Sequence, residues 1–152
     1  MINVEKRLKI VAAARACLDT PWMHQARVPG RGLDCIGLAI QAAKAAGEWR
    51  DEFDPMCRNY GRIPHGNAFF IFMRDHLTKI EADDKLDGDL VLIAVKSYPM
   101  HVGVLASFPN GQWSIIHAMA ERGGRVVEEP FSRRLTPHSW WRFPSLVAEE
   151  AD

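Results

Sequence analysis

The spacing of apolar residues changes halfway along this chain, and that change limits the fold more than any other feature. Up to about residue 76 apolar residues recur at helical spacing; beyond it they form short runs broken by Gly, Pro and Asn. Val4, Leu8, Val11 and Leu18 predict an amphipathic helix over 3–18, ending before Thr20-Pro21. A loop with Pro21, Pro29, Gly30 and Gly32 leads into a second helix from about Cys35 to Ala46, with Gly47 as its stop. The face at Leu38, Ala39, Ala42 and Ala46 is small enough to approach a sheet closely. Residues 50–65 read as irregular, and Asn67 to His76 as a third helix. Leu90–Val95, Met100–Ser107, Gln112–Ala120, Arg125–Val127 and Trp140–Phe143 then read as strands. Helices first and strands after them predict an α+β fold, with N-terminal helices packed on an antiparallel sheet.

At 152 residues, 47% apolar and 25% charged, the chain can bury one core, and 1–152 reads as a single domain. Its 19 basic and 19 acidic residues cancel, which argues against a nucleic-acid partner. No apolar run nears the ~20 residues of a spanning helix, so no membrane insertion is expected. Ile10–Ala14 is followed by Arg15 and is too short for a signal-peptide core of ~7–15 residues. Synthesis in the cytoplasm without an export signal is therefore expected. Cys17, Cys35 and Cys57 form an odd set with no C-x-x-C spacing, which fits neither a disulfide framework nor a structural zinc site. At least one thiol is free.

Cys35 opens the second helix, where the positive end of the dipole favours thiolate, the nucleophilic form. The competing reading is a buried small residue. Two histidines lie on consecutive predicted strands, and their meeting depends on hairpin register. A three-residue loop at 109–111 with Gly111 left-handed pairs Gly103 with His117 and makes His101 its diagonal neighbour. A loop at 108–110 sets the two directly opposite, and a two-residue Asn110-Gly111 turn sends them to opposite faces. On a shared face, Cys35, His101 and His117 are the parts of an activated-nucleophile triad. Cys35 would attack an amide carbonyl, His101 would take the proton and return it to the leaving amine, and His117 would orient His101. The Cys35 N–H is the natural first donor to the oxyanion. The same three residues could ligate zinc, but a fourth ligand and a short chelating spacing are missing, so neither metal nor cofactor is expected.

Thr20-Pro-Trp22, Gly32-Leu-Asp-Cys-Ile-Gly-Leu38, Gly88-Asp-Leu-Val91, His101-Val-Gly-Val104 and Ile116-His-Ala118 occur in that order. Over residues 8–120 this resembles the NlpC-type cell-wall peptidases, papain-like cysteine enzymes that cut peptidoglycan stem peptides. Pro-Trp-x-His-Gln-x-Arg followed by Gly-Leu-Asp-Cys-x-Gly-Leu is similar to the bacteriophage and prophage branch, whose members belong to tail modules. Ile36 replaces the serine of most family members, as is usual in that branch, and Ala26 stands where the branch usually has glycine. The resemblance implies a papain-like fold and cleavage of the γ-D-glutamyl–diamino acid bond, with phage tail proteins as partners. It also implies action on the cell wall as part of a tail. For substrate binding it implies Asp34 at the substrate's amino group and His24 and Trp22 at the cleft. An N-cap role for Asp34 competes with the binding role, and the two can coexist. The rival readings are a tail structural protein that keeps the fold, and another acyl transfer on the same scaffold.

The remaining residues carry plainer expectations. Asp89 reads as a turn and strand-start residue, and Asp83, Asp84, Asp87 and Asp89 as a solvated acidic loop. Cys17 is expected to pack on the first helix. Cys57, His65, His76 and His138 read as surface or packing residues. One of Trp140 and Trp141 is expected in the core and the other partly exposed.

Overall fold

Alternation in the second half of the chain produces one six-stranded sheet, antiparallel throughout. The computed structural model describes residues 1–58, 60–61, 68–95, 98–120, 123–132 and 134–151. Its helices are α1 (Val4–Arg15), α2 (Cys35–Ala45), α3 (Ala68–His76) and α4 (Pro144–Glu150). A two-stranded hairpin, β1 (Arg27–Val28) and β2 (Gly32–Leu33), precedes α2. The main sheet contains β3 (Thr78–Ile80), β4 (Leu90–Val95), β5 (Tyr98–Ser107), β6 (Trp113–Ala118), β7 (Val126–Pro130) and β8 (Pro137–Arg142), in the order β3-β8-β4-β5-β6-β7. Helix α2 lies against β5, and α1 packs on both. The α+β expectation is met, and no helix among the described residues is long and apolar enough to cross a membrane.

The core lies between the helices and one sheet face. Leu38, Ala39, Ala42 and Ala46 of the α2 segment meet Leu90, Leu92, Val102, Val104, Ala106 and Ile116. Val91, Ile93 and Ile115 point to the other face, beneath Phe131, Leu135 and Trp140. Trp141 is buried and Trp140 half-buried, as alternation requires. Cys17 is buried and packs as expected, and Cys57 is buried against Ile36 and Ile40. His76 and His138 are exposed; His65 lies outside the described residues.

Helix α1 corrects one expectation. Val4 and Leu8 are exposed, α1 stops at Arg15 so that Leu18 falls outside it, and the buried residues are Arg7, Ile10, Val11 and Ala14. The helix is rotated from the predicted face because an arginine occupies a core position, where its charge is matched. Arg7 Nη1 donates to Asp89 Oδ1 at 2.9 Å, and its Nε and Nη2 donate to Glu150 at 2.9 and 3.0 Å. Arg142 donates to Asp89 through Nε at 3.0 Å and Nη2 at 2.9 Å, and the Leu86 N–H donates to Oδ2 at 2.8 Å. Asp89 is fully buried, which corrects its reading as part of a solvated loop; Asp83 and Asp84 are exposed. A carboxylate is stable in such a place only because every oxygen has donors and two guanidiniums match its charge.

Elements absent from the sequence reading are short. β1, β2 and β3 have two or three residues each, too few for alternation to register, and α4 is seven residues begun by Pro144. Within the segment expected to be irregular, Asp51–Cys57 forms a 3₁₀ turn.

Candidate active site

Asp34 fixes where Cys35 stands. Its side chain caps α2, with Oδ1 accepting from Gly37 N at 2.8 Å, so the backbone turns helical at the cysteine. Oδ1 also accepts from Arg27 Nη1 at 2.9 Å, and Oδ2 from Gln25 N at 2.8 Å and from the Tyr60 hydroxyl. Arg27 reaches Asp54 and the Tyr60 oxygen as well, tying the loop before α2 to the 3₁₀ turn. That loop crosses the first turn of α2 so closely that a Cβ on Gly37 would stand 2.4 Å from the Ala26 carbonyl oxygen. The N-cap reading of Asp34 thus describes the structure, and its carboxylate is saturated by the protein's own donors.

The sulfur of Cys35 meets β5. The β5–β6 ladder runs from Ser107↔Trp113 to Val104↔Ile116 and stops there. Past that point the backbone N–H groups of Val102 and Ile36 lie near enough to the Cys35 sulfur to favour its charged form. The Cys35 N–H finds no acceptor among the described residues, which leaves it available to a bound oxyanion. Burial, reinforced by the Asp34 charge, pushes the thiol up to about 12 against the pull of the two N–H groups and Arg27. Desolvation thus opposes the pull of the helix terminus on the sulfur, and the thiol form is favoured at rest.

His101 is the residue before Val102, so the sulfur contact and the imidazole occupy consecutive positions of one strand. The hairpin register is the first of the three alternatives. Phe108 N donates to Gln112 O at 2.9 Å, Gly111 has φ +85°, and the register set by the three-residue loop 109–111, carried one step past the last ladder pair, brings Gly103 level with His117. The diagonal neighbours meet: His101 Nε2 lies 2.8 Å from His117 Nδ1. Burial first, then the adjacent His117, pushes His101 down to about 3; burial and Arg134 push His117 down to about 4. Both rings rest neutral. With its Nε2 committed to His117, His101 has Nδ1 left to accept a proton.

His24 packs edge-on against Tyr60 with ring centroids 5.4 Å apart, beside the Asp34 cluster. Trp22 is half-buried against the core, and its backbone N–H donates to Gly124 O. Among the described residues no group of three or more His, Cys, Asp or Glu is placed to hold a metal ion. Tyr60 and Glu129 were not singled out by sequence. Tyr60 lies in a segment without periodicity, and Glu129 lies beyond Val127, where the strand expected over Arg125–Val127 was to end.

A helix N-terminal cysteine set on an antiparallel sheet that carries a histidine pair is the arrangement of the papain-like α+β fold. Comparison with solved structures finds the same architecture in the crystal structure of the NlpC/p60 domain of the peptidoglycan hydrolase SagA, with a TM-score of 0.56. That likeness covers 90% of this chain and 98% of that one at 20% identity, and it shows the fold. No protein-family model matches the chain, and no curated protein matches it.

Proposed function

We propose that this chain is a cysteine endopeptidase that hydrolyses peptidoglycan stem peptides at the γ-D-glutamyl–diamino acid bond. The observation that carries the reading is the His101–His117 bond, on the strand whose next N–H, that of Val102, lies near the Cys35 sulfur. In this reading the thiol proton passes to His101 Nδ1 as the sulfur bonds to the scissile carbonyl carbon. The oxyanion takes the free Cys35 N–H, and His101 then protonates the leaving amine. Water, activated by the same imidazole, releases the acyl group. Because both groups rest neutral, the nucleophile forms only when His101 takes the proton as general base.

Support for the substrate class comes from the ordered motifs and from the fold shared with a peptidoglycan hydrolase domain. Asp34, His24 and Trp22 are assigned to the substrate. An incoming ammonium group would reach Asp34 by exchange with the Tyr60 hydroxyl or Arg27, its present partners. The Pro-Trp-x-His-Gln-x-Arg pattern supports a narrower reading, a phage or prophage tail component that acts on the cell wall with tail proteins as partners. The test is mass spectrometry of defined muropeptides incubated with wild-type protein and with Cys35→Ala. A wild-type-only product cut between D-Glu and the diamino acid is expected; an active Cys35→Ala protein overturns the assignment.

A further inference from the structure

The side chain of His117 is 1% exposed, and its Nε2 is the buried side-chain atom among the described residues that lacks a hydrogen-bond partner. An orphaned buried N–H is costly and rarely kept without a use. Its identity as an N–H follows from the bond on the other side of the ring. For His101 to accept a proton at Nδ1, its Nε2 must carry hydrogen and donate to His117 Nδ1, which leaves the His117 hydrogen on Nε2. That hydrogen points to β7. Glu129 pairs directly with Ile115, so it shares the face of His117 and lies diagonal to it. Its Oε2 stands 3.7 Å from His117 Nε2, just beyond hydrogen-bond range, while its Oε1 is held by Arg134.

We propose that Glu129 is a positioning residue that closes a relay from Cys35 through His101 and His117, and that Arg134 restrains it. The inference rests on the thiol–imidazole reading above. When the Sγ–H bond breaks and the proton joins His101 Nδ1, the electron pair stays on sulfur and a positive charge appears on the imidazole pair. No further proton moves. The charge draws Glu129 Oε2 onto the His117 N–H, and the carboxylate stabilises the imidazolium that in turn stabilises the thiolate. Arg134 opposes this from the other oxygen. The charged and titratable groups facing the relay are Asp34 and Arg27 at the sulfur, and Glu129 and Arg134 at His117.

The experiment is the rate of Cys35 alkylation by iodoacetamide against pH, followed by peptide mass spectrometry so that Cys17 and Cys57 are scored separately. Glu129→Gln keeps an acceptor but removes the charge. It is expected to slow alkylation near neutral pH by several-fold to about tenfold, as for a one-unit loss of imidazole basicity, with reaction recovering only at alkaline pH. Glu129→Asp should fall between wild type and Glu129→Gln. Arg134→Gln, at an exposed position, should raise the neutral-pH rate, a change of sign that a merely structural role for the pair would not give. Equal rates in wild type, Glu129→Gln and Arg134→Gln, with a slow His101→Ala protein, would overturn the relay alone. So would rates that fall in both variants. A His101→Ala rate equal to wild type would instead overturn the thiol–imidazole reading beneath it.

Discussion

Lowering the pH from 7 to 5 should destabilise this protein well before its carboxylates titrate, because the two site histidines rest neutral. In the unfolded chain a histidine takes its proton near pH 6.5, whereas His101 and His117 in the fold are held down to about 3 and about 4, chiefly by burial. Between those values the unfolded state binds more protons than the folded one, so stability rises with pH and falls as acid is added. Each pH unit in that window costs about 1.4 kcal/mol per histidine. From pH 6.5 to 5 this comes to about 2 kcal/mol for each ring and roughly 4 kcal/mol for the pair, out of a total of about 5–15 kcal/mol expected for a domain. Urea unfolding near pH 7, 6 and 5 measures it, provided the slope with denaturant stays constant. The comparison protein is the His101→Gln, His117→Gln double variant, which lacks both groups and should show a flatter profile. A wild-type stability that is level between pH 7 and 5, or falls no faster than that of the double variant, would refute the neutral-pair argument. A second loss belongs below about pH 4.5. Glu128 is depressed by Arg15 against the effect of burial, and Glu150, which burial alone would raise, is depressed by Arg7.

Three further outcomes follow from the geometry. Asp89→Asn leaves Arg142 without its carboxylate and Arg7 with Glu150 alone; it should cost about 3–5 kcal/mol, read as a lower urea midpoint, and a loss under about 1 kcal/mol would count against the buried network. Gly37→Ala drives a methyl group against the Ala26 carbonyl and should cost about 1–3 kcal/mol, with slower Cys35 alkylation as the Asp34 cap shifts; wild-type values for both would show that the loop yields freely. In muropeptide hydrolysis, Cys35→Ala and His101→Ala should each abolish turnover with folding intact, while His117→Ala costs less; steady-state kinetics with circular dichroism decides this.

What was legible in the sequence is what local spacing encodes. Strand alternation and the Pro109-Asn110-Gly111 turn narrowed the histidines to three registers, and the left-handed Gly111 belongs to the one observed. Asp34 before a small-faced helix announced both the cap and the close packing of α2. What stayed hidden depends on partners far apart in sequence. Nothing local marks Arg7 as a core residue, because the groups that admit it to the core lie 82 and 143 positions away. The same blindness put Val4 and Leu8 on the wrong side of α1. Glu129 was passed over because Glu128-Glu129-Pro130 has poor strand propensity; β7 continues through it because Ile115 and Ser114 supply partners on β6.

The network around Asp89 also bears on the order in which the molecule can be completed during synthesis. Arg7 leaves the ribosome 82 residues ahead of Asp89 and 143 residues ahead of Glu150. Until both carboxylates have emerged, the guanidinium cannot enter the core without losing its water uncompensated, so α1 cannot dock in its final position. The helix and hairpin that carry Cys35, His101 and His117 can form early, but the layer that clamps them waits for contacts of very large sequence separation. A nascent or truncated chain would therefore hold Cys35 on a loosely packed scaffold until α4 brings Glu150 to Arg7.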